Sequence, residues 1–500
     1  MSTVVRNIAA NAAGAAVGLA VLLTAVPLYL RLLGAEAYGL VGLFATLMAA
    51  ATALDLGLGA TLNREVARMT ARPADSPEFA DVVATLRAAG WLVGLVLGAL
   101  FAALAPLIAT RWLTPSTLST ADVRGALLLM GVAVPAIVAR SVQFAGLNGL
   151  QRQARANAVQ GGGTVLRTVL TLVALTSIAP TVTVFFVVQA LLLYVEALVL
   201  GVALAGSLPS TVGTGRVRPG AVRHLVGFSS GVGGTMVLGY AVMSIDQVVL
   251  SAMLPLAQFG YYTVAAAAAA ALGHVAFPVT TAVYPRLSQR VERTDERGVL
   301  EDYHFFSQLV AVLVLPLGAL LVFLPEHVLG LWTRNPEVVS HGALVLSLRA
   351  VGTVLQTFMY VPHILQLAVG WSSFAALVNA GMLLVMTPLT IGLSLAWGAP
   401  GAAAAWVALN LGGLLFAMAW MHRRVLPGEL GGWYARMIPP TVAVGLVGAL
   451  SRAALPEGLS APARGAWLAA TFALAAAAAL VAAPTVRRRL VAAGRAVRAS

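Results

Sequence analysis

The chain is 500 residues long, 60% hydrophobic and only 10% charged, with a mean hydropathy of +0.90. So little polar surface cannot cover a water-soluble fold, and the chain reads as an integral membrane protein. Its net charge of +13 arises from 31 basic residues, every one of them arginine, against 18 acidic ones. Their placement between apolar runs argues against nucleic-acid binding. With no cysteine there is no disulfide, thiolate zinc site or cysteine nucleophile, and the seven histidines lack metal-ligand spacing. No metal and no cofactor is expected.

Runs of Ala, Leu, Val and Gly longer than the ~20 residues that cross a bilayer recur along the whole chain, without the alternation of a transmembrane β-barrel. Hydropathy predicts fourteen helices, near 7–30, 38–61, 88–110, 125–147, 158–178, 182–205 and 225–253, then 260–283, 305–330, 338–365, 373–396, 400–421, 437–455 and 464–484. The first lacks a cleavage site after a short apolar core and is read as a retained span. Counting from the N-terminus, 22 arginines fall in the connections of one side and 6 on the other, while Arg140, Arg167 and Arg349 lie inside spans. The positive-inside rule then places both termini in the cytoplasm.

The segment "AYGLVGL" opens the second helix and a loop beginning at Asn63 and Arg64 closes it; "QFGYYTV" opens the eighth and a loop at Pro285 and Arg286 closes it. The offsets, 221 residues from Tyr38 to Phe259 and 222 from Arg64 to Arg286, predict two parallel six-helix halves. The expected divisions are an N-terminal lobe over 1–215, a C-terminal lobe over 216–425, and helices thirteen and fourteen with a basic tail over 426–500.

Polar residues inside hydrocarbon are costly, so their arrangement is informative. On the tenth helix Arg349, Thr353, Gln356, Tyr360 and His363 share one stripe; on the fifth, Gln160, Thr164, Arg167 and Thr171 do the same. The first helix carries Asn7, Asn11, Gly14 and Gly18 on one face, and the seventh Tyr240, Ser244, Gln247 and Ser251. Asp246 lies roughly 120° off that stripe at ~100° per residue. Stripes drawn from both halves point to a cavity between lobes. Small polar residues also serve close helix packing, and Asp55, Glu196 and Asp246 match the three buried arginines in number, so structural ion pairs are the competing reading. The longest outward loop, Arg111 to Arg124, holds only Asp122 as an acid, and no phosphate loop or nucleophile constellation occurs, so no enzymatic activity is expected.

The segment "YLRLLGAEAYGLVGLFATLMAAATALDLGLGATLNREVAR" resembles the opening of bacterial polysaccharide (O-antigen type) flippases of the multidrug/oligosaccharidyl-lipid/polysaccharide exporter superfamily. "GLNGLQRQARAN" and "SIDQVVLSAMLPLAQFGYYTVAAAAA" are similar to later segments of that family, with Pro255 departing from the usual turn glycine. The resemblance covers helices one to eight. It implies an all-α integral membrane protein of about 14 transmembrane helices, in two six-helix lobes related by a pseudo-twofold along the membrane normal, plus two C-terminal helices. It further implies alternating-access flipping of a polyprenyl-pyrophosphate-linked oligosaccharide from the cytoplasmic to the periplasmic leaflet of the bacterial inner membrane.

Arginine forks suit pyrophosphate oxygens, so Arg349, Arg167 and Arg140, with Gln356, Tyr360 and Asn11, are the candidate substrate-binding residues. Asp55, Asp246, Glu196 and His363 are the candidate coupling or ion-pair residues. The expected partners are the lipid-linked oligosaccharide, membrane lipids and glycan polymerisation machinery. A drug/cation antiporter of the same superfamily and a non-transporting membrane scaffold are the alternatives.

Overall fold

A computed structural model describes residues 3–69, 77–208 and 215–489. The described chain is helical, and its only strand-like contact is an isolated bridge between Thr114 and Pro255. By contacts it forms two compact units, Met1–Gly260 and Tyr261–Ser500. Twelve helices among the described residues are long and apolar enough to cross a membrane. Their exposed faces carry residues such as Leu100, Val173, Leu384 and Phe416, an outside more apolar than water tolerates and suited to lipid.

The first unit contains α1 (Thr3–Ala53), α2 (Leu58–Met69), α3 (Pro77–Leu107), α4 (Thr120–Gly149), α5 (Gln153–Ser177), α6 (Val182–Ala205), the single turn α7 (Pro219–Val222), α8 (Val226–Met253) and the opening turn of α9 (Leu256–Glu292). At ~1.5 Å per residue, α1 is ~77 Å long against a hydrocarbon core of ~30 Å. It is two spans in one, bent at Gly34, whose φ of 81° leaves the helical region. Just past the bend, the buried Glu36 carboxylate accepts from the backbone N–H groups of Ser116 (2.6 Å) and Thr117 (2.8 Å), pinning the connection that precedes α4. Ser119 caps α4 by accepting from Asp122 N, and α4 then runs through the centre of the unit with Val134–Ala139 wholly buried between α3 and α6.

The repeat predicted from sequence takes a physical form in this unit. A Cβ on Gly39 would collide with Leu256 O, and one on Gly260 with Ala35 O. Gly39 and Gly260 are 221 residues apart, and so are Ala35 and Leu256. Each copy of the motif therefore seats its glycine on the carbonyl presented by the other, the reciprocal contact that a twofold relation requires. Pro255 fits without its usual glycine. Leu254 before it is extended (ψ 151°), as a residue preceding proline favours, and the turn is fastened by Leu256 N to Thr114 O at 3.1 Å.

Two local expectations are corrected here. The second helix does not run to residue 61: it stops at Ala53, and Leu56 (φ 56°) and Gly57 (φ 75°) form a break before α2. Asn63 and Arg64 lie inside the amphipathic α2 rather than in a loop, and Pro285 and Arg286 lie inside α9, which continues to Glu292.

The second unit holds the rest of α9, then α10 (Glu296–Phe323), α11 (Pro325–Thr333), α12 (Pro336–Phe358), α13 (Tyr360–Ala368), α14 (Ser372–Trp397), α15 (Ala399–Gly412), α16 (Met418–Val425), α17 (Leu430–Ala453) and α18 (Ala461–Val481). Asp295 caps α10, and Asn335 caps α12 with Pro336 at its first position. α17 and α18 pack on α10 and are stitched to it. Gln308 donates to Arg436 O at 2.9 Å and accepts from Thr485 N at 3.0 Å, while Arg452 donates to Phe323 O at 2.7 Å. α17 carries Arg436, Arg452 and paired prolines, which dilute its hydropathy, and it falls outside the twelve apolar spans. Counting the two spans of α1 separately and adding α17 gives the fourteen segments predicted from sequence.

Candidate functional site

The first unit assembles three of the candidate residues. Glu196 on α6 is 4% exposed, and each of its oxygens takes a different arginine: Oε1 accepts from Arg140 Nη1 of α4 at 2.8 Å, Oε2 from Arg167 Nη1 of α5 at 3.0 Å. The fifth-helix stripe explains how Arg167 arrives there. Arg167 and Thr171 are buried, whereas Val165, Leu166, Val169, Leu170 and Val173 on the other faces are exposed. A helix that turns its valines and leucines to lipid must turn its arginine inward. Room for the carboxylate comes from Gly163, where a Cβ would lie 3.0 Å from Glu196 Cδ.

Of the other acids, Asp55 pairs with no arginine among the described residues. It sits in the break after α1 and caps α2, accepting from Gly57 N at 2.8 Å and Gly59 N at 3.2 Å. The buried charges therefore do not match one to one, since Glu196 alone serves two guanidiniums. Asp246 on α8 is fully buried. Asn11 lies on α1 in a stretch whose side chains are outside the described residues.

In the second unit Arg349 is 7% exposed on α12, with its Cζ 4.6 Å from the ring centre of Trp406 on α15 and 6.0 Å from that of Tyr262 on α9. Gly352, one turn along, admits the indole, because a Cβ there would collide with it, and Trp406 Nε1 donates to Thr353 Oγ1 at 3.4 Å. The tenth-helix stripe is not carried by one continuous helix. Pro362 has no N–H for the carbonyl of Phe358, so the helix breaks at Met359, leaving Gln356 in the last turn of α12 and Tyr360 and His363 on α13. His363 is exposed and lines a cavity of about 100 Å³ with Gln366, Asn379, Met359, Met382 and Met418.

Sequence reasoning missed Trp406, whose only signal is the glycine in the arginine stripe that faces it. It also missed a second cluster. Asp302 on α10, fully buried, takes Arg286 through two bonds (2.5 and 2.9 Å), Arg290 at 2.6 Å and Arg489 at 3.1 Å. The four-residue spacing of Arg286 and Arg290 on one helix face was the available hint. Among the described residues no group of three His, Cys, Asp or Glu is placed to hold a metal ion.

No curated protein sequence matches the chain. Among solved structures it is similar to the lipid II flippase MurJ in an inward closed conformation, with TM-score 0.72 and 13% identity over 97% of this chain and 100% of that one. It is also similar to an inward-facing multidrug resistance MATE family transporter of the MOP superfamily, with TM-score 0.70 and 14% identity over 81% of this chain and 94% of that one. A third likeness is to a MOP superfamily transporter from Pyrococcus furiosus, with TM-score 0.61 and 17% identity over 85% and 96% of the two chains. At such identities the likeness establishes a common fold. Family membership rests on sequence: the model of the family described as "Polysaccharide biosynthesis protein" matches residues 4–291, more than half of the chain, and this multi-pass membrane protein belongs to that family.

Proposed function

We propose that the protein flips a polyprenyl-pyrophosphate-linked oligosaccharide of O-antigen type from the cytoplasmic to the periplasmic leaflet of a bacterial inner membrane, by alternating access and without chemical conversion of its cargo. The observation that carries this reading is the arrangement of Arg140 and Arg167 on Glu196: two guanidiniums share one carboxylate inside an apolar bundle, so a positive charge is left over. Such a charge is expensive in a membrane unless an anion meets it. Arg349 supplies a second guanidinium site, and guanidinium forks suit phosphate oxygens better than any other side chain. Membership of a polysaccharide biosynthesis family favours a glycan cargo over a drug. The arginine distribution sets both termini in the cytoplasm, and the flipped product passes to glycan polymerisation machinery on the far leaflet.

The test is flipping of a fluorescent polyprenyl-pyrophosphate oligosaccharide in proteoliposomes. Wild type should move it, while Arg349→Ala and Arg167→Ala should fall to background with an unchanged melting temperature, and Arg140→Ala should be impaired in part. Export of a cationic dye with no glycan flipping would replace this reading with the antiporter; neither activity would leave a scaffold. Reporter fusions after Ser500 and within Arg111 to Arg124 should report opposite compartments.

A further inference from the structure

Each arginine of the first-unit cluster reaches Glu196 through a single Nη1, one on each carboxylate oxygen. Neither forms the two-bond fork that guanidinium and carboxylate make when they pair for strength alone. Arg140 Nε is buried with no hydrogen-bond partner among the described residues. The side chains of Arg140 and Arg167 keep 13% and 11% exposure, while that of Glu196 keeps 2%. The carboxylate is thus the most sealed of the three side chains. Two positive charges on one negative charge also leave the group short by one anion.

We infer that Glu196 is an internal stand-in for the substrate's pyrophosphate: it holds Arg140 and Arg167 together while the site is empty and competes with the incoming anion for their donors. The inference rests on the proposed function and adds what sets the affinity of that site. A carboxylate presents two oxygens spaced much like two phosphate oxygens, so it keeps the guanidiniums near the separation the cargo needs. A pyrophosphate diester carries two ionised groups and outbids a single carboxylate for the pair. A built-in competitor weakens ground-state binding, which favours release on the far side and so turnover.

The experiment measures binding of inorganic pyrophosphate to the purified full-length protein in nanodiscs, with orthophosphate as control, beside the flipping assay. Glu196→Gln removes the competing charge and keeps the shape. It should bind pyrophosphate about tenfold more tightly than wild type and flip more slowly, and adding Arg140→Ala should cancel the gain. Glu196→Asp, which keeps the charge on a shorter arm, should fall between wild type and Gln; should Gln fail to fold, tighter binding by Asp sustains the inference and equal or weaker binding overturns it. Wild type that binds pyrophosphate while Glu196→Gln binds no better would overturn the stand-in role and leave the flippase reading intact. Absence of both pyrophosphate binding and glycan flipping in wild type would remove the flippase reading, and this inference with it.

Discussion

The two units keep a guanidinium inside hydrocarbon by different means. In the first, Arg140 and Arg167 share the Glu196 carboxylate; in the second, Arg349 lies against the faces of Trp406 and Tyr262. A carboxylate cancels charge, and here it cancels one of two. An aromatic face attracts a cation through its quadrupole and leaves the charge intact. At the Glu196 cluster two guanidiniums meet one carboxylate, whereas Arg349 is packed against aromatic rings. On the proposed reading, these are the two places where the cargo's phosphates would meet guanidinium.

Removing the carboxylate outright breaks the comparison most severely. Glu196→Ala leaves two buried guanidiniums uncompensated, a loss on the order of 3–5 kcal/mol, and should appear as a large fall in melting temperature in detergent. Arg167→Ala leaves a neutral Arg140–Glu196 pair, so it should melt close to wild type; equal destabilisation by both would show that the cluster is a structural unit rather than a charged site.

The glycine crossing comes next. Gly39→Ala and Gly260→Ala each press a methyl group onto a backbone carbonyl, for a loss of roughly 1–3 kcal/mol by overpacking. Because the contact is reciprocal, the two should cost about the same. A large difference in thermal stability between them would show that the two copies of the repeat are not equivalent here.

Trp406→Leu sharpens the second-unit side of the comparison. It removes the ring beneath Arg349, worth ~0.5–2 kcal/mol, while keeping an apolar side chain. The buried indole also fills the space beside Gly352, so melting should fall as well; flipping by the folded protein should drop, and full flipping would show that the ring serves packing alone. The smallest effect belongs to Arg489→Ala. Its side chain is 34% exposed and two other arginines remain on Asp302, so the loss should stay below ~1 kcal/mol and shrink further in high salt.

Much of this was legible in the chain itself. Spans follow from local hydropathy, and the inward face of α5 from the four- and three-residue spacing of Gln160, Thr164, Arg167 and Thr171, because lipid selects the face of a helix without help from any neighbour. The "AYG" and "QFG" copies exposed the repeat for the same reason, as the offset is a property of the sequence alone. The break at Leu56 and Gly57 was harder to see: the hydropathy around it is uniform, and only the capping of α2 by Asp55 marks the stop.

What the sequence determined was which residues are buried charges. What it left open was whom they meet. Arg140 and Glu196 are 56 residues apart, Arg286 and Asp302 are 16, and Arg489 and Asp302 are 187. A count of three arginines against three acids fitted one-to-one pairing equally well. The tertiary structure decided otherwise, because partner choice depends on how each helix is rotated and where it crosses its neighbours. Gly163 lets α5 come close enough for Arg167 and Arg140 to reach the same carboxylate, and Asp55 is occupied by the backbone of α2 before any arginine can claim it.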